Sequence, residues 1–437
     1  MERLAWPDTP DLLALKAAWP ERYPALFKTG GANGWDILFA FPQQTLTLDS
    51  EADSFAADSF FGTLPSFSSE KRSPTLPFSG GWLLMLGYEL GGLLEPSAGR
   101  TKDEDGFPLA WAMRIPAAIL LNHQTKQCWL MAESGHASLI QQMQEDLSQA
   151  PTRPAQELPD YTLTEEDPGR FLHGVEKVKT YIREGDVFQV NLSRGWQADF
   201  AAPVSPAGLF ARLEQSNPAP FSAVLEMGDW SIVSSSPERL VCVESGGRVV
   251  TRPIAGTHPR STNLADDEAL RKRLAEHPKE RAEHIMLVDL ERNDLGRVCV
   301  PGSVRVEALM ELASYAHVHH LESSVVGQMQ ADTRLLELIR AIFPGGTITG
   351  CPKVRTMQII RELETRPRRA YTGSLGYVNM DGTLDLNILI RSFLLKKNQA
   401  WFRTGAGIVA DSDPARELDE TRAKAKGLLK ALVKRED

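Results

Sequence analysis

The chain has 437 residues, 42% hydrophobic and 24% charged, a balance that suits a soluble protein with a large core and two or three ordinary domains. Its formal charge of −9 comes without a basic stripe, which argues against nucleic-acid binding as the main task. No basic-then-apolar leader opens the sequence, and apolar runs such as 117–121 fall far short of the ~20 residues a membrane helix needs, so neither secretion nor membrane insertion is expected.

Residues 1–150 read as an N-terminal region, interrupted at 62–80 by a loose Ser- and Pro-containing segment with a Glu-Lys-Arg cluster. The stretch 151–168 is Pro-rich and polar and lacks apolar periodicity, so it reads as a linker to a larger catalytic region at 169–437. In that region helical periodicity occupies 169–184, 266–290, 333–343, 353–364 and 414–434. Hairpins are predicted at 222–241 across Gly-Asp, at 240–254 across Ser-Gly-Gly, and at 374–395 across Met-Asp-Gly. Consecutive hairpins imply antiparallel sheets with helices packed outside them, which makes the fold class α+β. Cys128, Cys242, Cys299 and Cys351 lie far apart with no CxxC pair, which fits a reducing cytoplasm better than a disulfide framework or a zinc site.

Two ExxE spacings stand out, Glu280 with Glu283 and Glu417 with Glu420, each placing two carboxylates on one helix face. Brought together, such faces make an all-oxygen site of the kind Mg²⁺ prefers, and Lys424 follows one turn after Glu420. On spacing alone, solvated helix faces remain the commoner meaning. GGTITGCPK (345–353) is a Gly-rich turn opening a helix, suited to an anion but without Walker spacing. TGAGIVAD (404–411) lets backbone approach a ligand closely. His319 and His320 alternate, so only one of them faces any given pocket.

The stretches DVFQVNLS (186–193), SSSPERL (234–240), TRPIAGT (251–257), ERAEHIMLVDLERNDLGRV, HVHHLESSVVG, FPGGTITGCPKVRTMQII, GSLGYV, NILIRS, GAGIVADS and ELDETRAKA closely resemble the chorismate-using enzymes. These are anthranilate synthase component I, aminodeoxychorismate synthase component I, isochorismate synthase and salicylate synthase. The matches keep the family's order from about residue 169 onward. The resemblance implies the chorismate-binding fold, a large antiparallel β-sheet sandwich with helices on its outer faces, and a Mg²⁺-dependent displacement on chorismate.

By motif, Glu238 resembles the general acid that protonates the leaving hydroxyl. Glu283 and Glu420 resemble the principal Mg²⁺ ligands, with Glu280 and Glu417 as outer or water-mediated partners. Lys424 would lie near the ring carboxylate. Arg391 and Tyr377 resemble a clamp on the enolpyruvyl carboxylate, helped by backbone at Gly405, Ala406 and Gly407. Gly256, Thr257 and His320 resemble ring-side contacts. Water-using members carry a Lys where this chain has Gln189, so the resemblance implies a neutral amine nucleophile, ammonia. Some aminodeoxychorismate synthases have Lys where this chain has Ala255, and anthranilate synthases have Ala there.

Against Ala255 stand a compact length, an N-terminal segment GWDILFAFPQQTLTL (34–48) without the LLES tryptophan motif, and APFSAVLE (219–226). Together these favour the aminodeoxychorismate branch, which makes 4-amino-4-deoxychorismate for 4-aminobenzoate and folate, with the anthranilate branch as the alternative. None of the cysteines sits between glycines as a glutaminase nucleophile would, so glutamine use would require a separate amidotransferase subunit.

Overall fold

The computed structural model describes residues 2–29, 34–67, 76–149, 151–260, 263–276, 278–314 and 318–433. Among them are two antiparallel sheets, one of 12 strands and one of 10. Their inner faces meet in an apolar layer, and helices cover the outer face of each.

Strand composition follows from this layering. A strand covered on both sides sends alternate side chains into two different cores and so must be apolar throughout. In Trp35–Ala40, Ile37 and Phe39 enter the layer between the sheets, and Leu38 and Ala40 face the helices outside. Gly81–Leu86 behaves alike in the other sheet, with Leu83 and Met85 inward and Trp82, Leu84 and Leu86 outward. The outer helices start on a shared local device: Asp167-Pro168, Ser205-Pro206 and Asp413-Pro414 each put a capping oxygen just before a proline. The side chain accepts an early amide, and the proline lacks the amide that would otherwise go unpaired.

All three predicted hairpins form: Phe221–Met227 with Trp230–Ser236, Arg239–Val243 with Arg248–Thr251, and Ser374–Asn379 with Leu384–Asn387. Two expectations need revision. The helix predicted at 266–290 is two, Leu264–Glu276 and Pro278–Gly296, with a proline opening the second. The boundary at 150 is not a break in the sheets, because Ala25–Lys28 pairs with Phe221–Met227 and Gly81–Leu86 with Ser374–Asn379. The 151–168 stretch likewise carries a strand, Tyr161–Glu165, that pairs with Trp196–Phe200. Of the loose segment at 62–80, residues 68–75 lie outside the described residues. No helix among the described residues is long and apolar enough to cross a membrane, and all four cysteines are free.

One buried polar cluster ties the layers together. Glu364, just past the helix Lys353–Leu363, accepts from Ser193 N at 2.9 Å, Arg368 Nη2 at 2.6 Å and Arg403 Nη2 at 3.1 Å. Burial would raise its pKa, but the two guanidinium groups outweigh burial and hold the carboxyl below the usual range. Arg368 also donates to Asn191 O at 2.7 Å and Ile348 O at 3.1 Å, and lies over the rings of Tyr88 and Tyr371. Glu364→Ala would leave two buried cations without their carboxylate. Chemical denaturation should show a loss of about 3–5 kcal/mol.

Candidate active site

The strand Gln189–Phe200 pairs with Gln399–Ile408, setting Asn191 opposite Gly407 and Ser193 opposite Gly405. Period-two alternation puts Gln189 and Asn191 on the same face as these glycines, whereas Ala406 turns into the apolar cluster with Val190 and Ile408. The glycines leave space that the polar side chains fill. A Cβ on Gly407 would stand 2.3 Å from Gln189 Nε2 and 3.2 Å from Glu283 Oε1, and one on Gly405 would stand 2.7 Å from Asn191 Oδ1 and 2.9 Å from the Tyr371 hydroxyl. Across that space Gln189 Nε2 donates to Glu283 Oε1 at 2.7 Å. From the helix Pro414–Leu432, Lys424 Nζ donates to Gly405 O at 3.0 Å and pairs with Glu420 at 2.7 Å. Glu417, in the first turn of that helix, is buried.

Glu238 lies between the strands Trp230–Ser236 and Arg239–Val243 and is 6% exposed. Burial lifts its pKa to about 7; the Thr347 hydroxyl, the Ile254 amide and the charges of Lys424 and Arg391 hold the rise back. Arg391 sits at φ 53°, a strained position for a side-chain-bearing residue. Burial lowers its pKa, opposed by Glu238. Among the described residues its guanidinium has no hydrogen-bond or ion-pair partner. Gln189 Oε1, Asn191 Oδ1 and Glu238 Oε1 are buried and also lack one. A largely buried cation that acts on Glu238, in a fold that also buries unpaired acceptors on Gln189 and Asn191, suits an anion that carries hydroxyl or amine donors.

Ala255 and Gly256 lie on the strand Ile254–Pro259. Ala255 is buried opposite Leu321, and the register slips between Ala255 and Thr257. This bulge puts Gly256 at φ 66°, and without a Cβ it admits Leu274 and Glu280, whose Oε2 would lie 2.9 Å from such an atom. His320 is buried with Nδ1 3.4 Å from Gly256 O. The backbone of Thr257 pairs with His320; the side chains of Thr257 and His319 lie outside the described residues.

Tyr377 does not join this cluster. It packs edge-on to Phe78 at 5.7 Å and beside Phe39 at 6.1 Å, and lines a separate cavity of about 420 Å³ with Lys28, Trp35, Arg239 and Asp385. Tyr371, six residues earlier, reaches the Gly405 side instead. Burial pushes its hydroxyl to about 12. Sequence reasoning missed Tyr371 because it lies in a turn without periodicity, and missed Asn191 although the two-residue step from Gln189 marks its face.

Carboxylate oxygens suit Mg²⁺ in kind; Glu283 stands beside Gly407, and Glu420 is linked through Lys424 to Gly405 O. Among the described residues no three acidic, His or Cys side chains already converge around one point. Glu420 has Lys424 as its counter-charge.

The sequence model of the chorismate-binding enzymes matches residues 23–430. The chain belongs to that family. It is 44% identical over 359 residues to an anthranilate synthase component I-like protein of Synechocystis sp., covering 82% of this chain and 73% of that one. It is 39% identical over 400 residues to aminodeoxychorismate synthase component 1 of Bacillus subtilis, covering 88% and 83%. Anthranilate synthase component I of Streptococcus pneumoniae superposes with a TM-score of 0.79 at 30% identity, over 90% and 91% of the two chains. The chain is therefore a chorismate-utilising enzyme of α+β fold, and these relatives lie on both sides of the aminodeoxychorismate–anthranilate divide.

The buried carboxyl has a measurable consequence for stability. With its folded pKa near 7 against an ordinary 4.5, Glu238 keeps a proton between those values that the unfolded chain has lost. Stability therefore falls as pH rises through that window, by up to about 3 kcal/mol. Glu238→Gln should match wild type in urea unfolding at pH 4 and be the more stable protein at pH 8.

Proposed function

We propose that the chain is component I of aminodeoxychorismate synthase, converting chorismate and ammonia to 4-amino-4-deoxychorismate for 4-aminobenzoate and folate. The observation that carries the amine chemistry is Gln189: buried, 2.7 Å from Glu283, and an amide. An amide cannot take a proton from water at neutral pH, so the nucleophile has to arrive neutral, as NH₃ does. A separate glutamine amidotransferase subunit would supply it.

In this reading Arg391 and Lys424 bind the carboxylates of chorismate, and Tyr371 takes the role expected of Tyr377 beside Gly405 and Gly407. Gly256, Thr257 and His320 border the ring. Glu238, its pKa lifted by burial to about 7, gives its proton to the leaving hydroxyl, which departs as water while the amine bond forms. The unpaired Gln189 Oε1 accepts from an N–H of the incoming amine and orients its lone pair. Glu283 and Glu420, with Glu280 and Glu417 in support, would hold Mg²⁺, which would supply the counter-charge for the ring carboxylate.

Ala255 supports a second reading, anthranilate synthase component I, because a methyl there leaves space for direct attack at C2. The N-terminal segment at 34–48, without LLES, and APFSAVLE favour the aminodeoxychorismate product.

Chorismate, Mg²⁺ and ammonium should yield 4-amino-4-deoxychorismate on chromatography. Fluorescent anthranilate with pyruvate as the main products would replace this reading with the second. Glu238→Gln should lower kcat by about a hundredfold or more while chorismate binding, followed by thermal shift, is retained. Turnover within a few-fold of wild type would remove Glu238 from the acid role.

A further inference from the structure

The helix Pro278–Gly296 carries Glu280 and Glu283, and the next residue, His284, fastens it to the sheet. Ala255 pairs with Leu321 where the strand Ile254–Pro259 meets Val318–Gln328, and residues directly opposite one another share a face. Ser323, two positions beyond Leu321, belongs to that same face, against which the helix packs. There His284 Nε2 meets Ser323 Oγ at 2.5 Å, with the imidazole wholly buried and Ser323 1% exposed.

The bond does more than fill space. The other ring nitrogen, Nδ1, is buried without a hydrogen-bond partner, a desolvation cost that an apolar side chain would not carry. Farther along the helix, Val288 and Leu295 pack with no such cost. Ser323 Oγ also accepts from Met310 N at 2.9 Å, and Met310 stands at φ 55°. It lies in an irregular stretch of the strand Arg305–Ser314, between the pairs Ala308–Ser324 and Glu311–Glu322. A strained backbone persists where its surroundings over-determine it, and here the serine hydroxyl is one of the restraints. Ser323 N in turn donates to Pro253 O at 3.2 Å. One residue thereby joins the helix to three stretches of chain.

Residues 280, 283 and 284 share a helix face, so whatever fixes His284 also fixes the two carboxylates. Glu280 Oε2 lies beside Gly256, 2.9 Å from where a Cβ would stand, and Glu283 Oε1 accepts from Gln189 Nε2 at 2.7 Å. We infer that the His284–Ser323 bond is a positioning tie, which sets the height and rotation of the helix so that Glu280 and Glu283 stand preorganised for a divalent cation. Both residues act through the carboxylates and neither touches the reacting atoms. The inference rests on the reading of those carboxylates as the holders of Mg²⁺, and not on which amine product forms.

Ser323→Ala removes the hydroxyl from both of its partners, and His284→Leu removes the imidazole. His284→Gln keeps an amide nitrogen near the place of Nε2. In the full-length protein without chorismate, Mn²⁺ binding followed by electron paramagnetic resonance should weaken about tenfold in Ser323→Ala and His284→Leu. In His284→Gln it should stay within about twofold. Half-saturating Mg²⁺ for chorismate consumption should rise by a similar factor, with kcat at saturating Mg²⁺ within about threefold. Unchanged Mn²⁺ affinity overturns the inference even if the urea midpoint falls, since a lower midpoint alone is what a merely structural bond would give.

The geometry can be checked apart from the metal. A crystal structure of Ser323→Ala should show Glu283 drawn away from Gln189 and Glu280 from Gly256; both unmoved overturns the inference. A wild type that neither binds Mn²⁺ nor depends on Mg²⁺ overturns the metal reading, and a displaced helix in Ser323→Ala then leaves the tie standing as the support of Glu283.

Discussion

Everything in the site hangs from Glu364. It is a carboxylate with almost no water, kept charged by two arginines from different elements, and its oxygens also take the amide and hydroxyl of Ser193. Arg368 carries the constraint onward to Asn191 O and Ile348 O and stacks against Tyr371. The strand bearing Gln189, the turn bearing Thr347 and the loop bearing Tyr371 are thereby fixed relative to one another. Buried ion pairs add little net stability, since desolvation offsets attraction, but removing one partner is severe. Such a cluster suits a site that must hold several unsatisfied polar groups in register.

Those unsatisfied groups carry a cost of their own. Each buried oxygen without a donor sacrifices about 1–3 kcal/mol of solvation. The unpaired oxygens of Gln189 and Asn191 are a cost the surrounding apolar cores absorb. Glycines at 405 and 407 are part of the same arrangement: they lower strand propensity but let side chains from the opposite strand occupy the room a Cβ would take.

The architecture was legible in the sequence where a local rule acts alone. Turn chemistry marked the three hairpins, and apolar periodicity marked the helices at 169–184 and 414–434. Legibility failed where partners distant in sequence decide. Nothing in residues 1–150 tells that Ala25–Lys28 will pair with Phe221–Met227, since both are simply apolar strands. Similarity to a motif placed Tyr377 at the site, yet its strand position directs it to Phe39 and Phe78, while Tyr371 arrives from a turn anchored by Arg368.

The same geometry explains why relatives on both sides of the aminodeoxychorismate–anthranilate divide resemble this chain so well. On the proposed reading, an acid whose pKa burial raises, a cation without a protein partner and an amide in place of a base would serve amine addition at either ring carbon. What separates the outcomes, on that reading, is where the ring sits relative to Ala255, whose buried methyl can neither attack nor donate. Regiochemistry would then pass to the groups that fix the ring's angle, for which that reading names Arg391, Lys424 and Tyr371. Selectivity would depend on the ring's distance from residue 255 rather than on a nucleophile presented there.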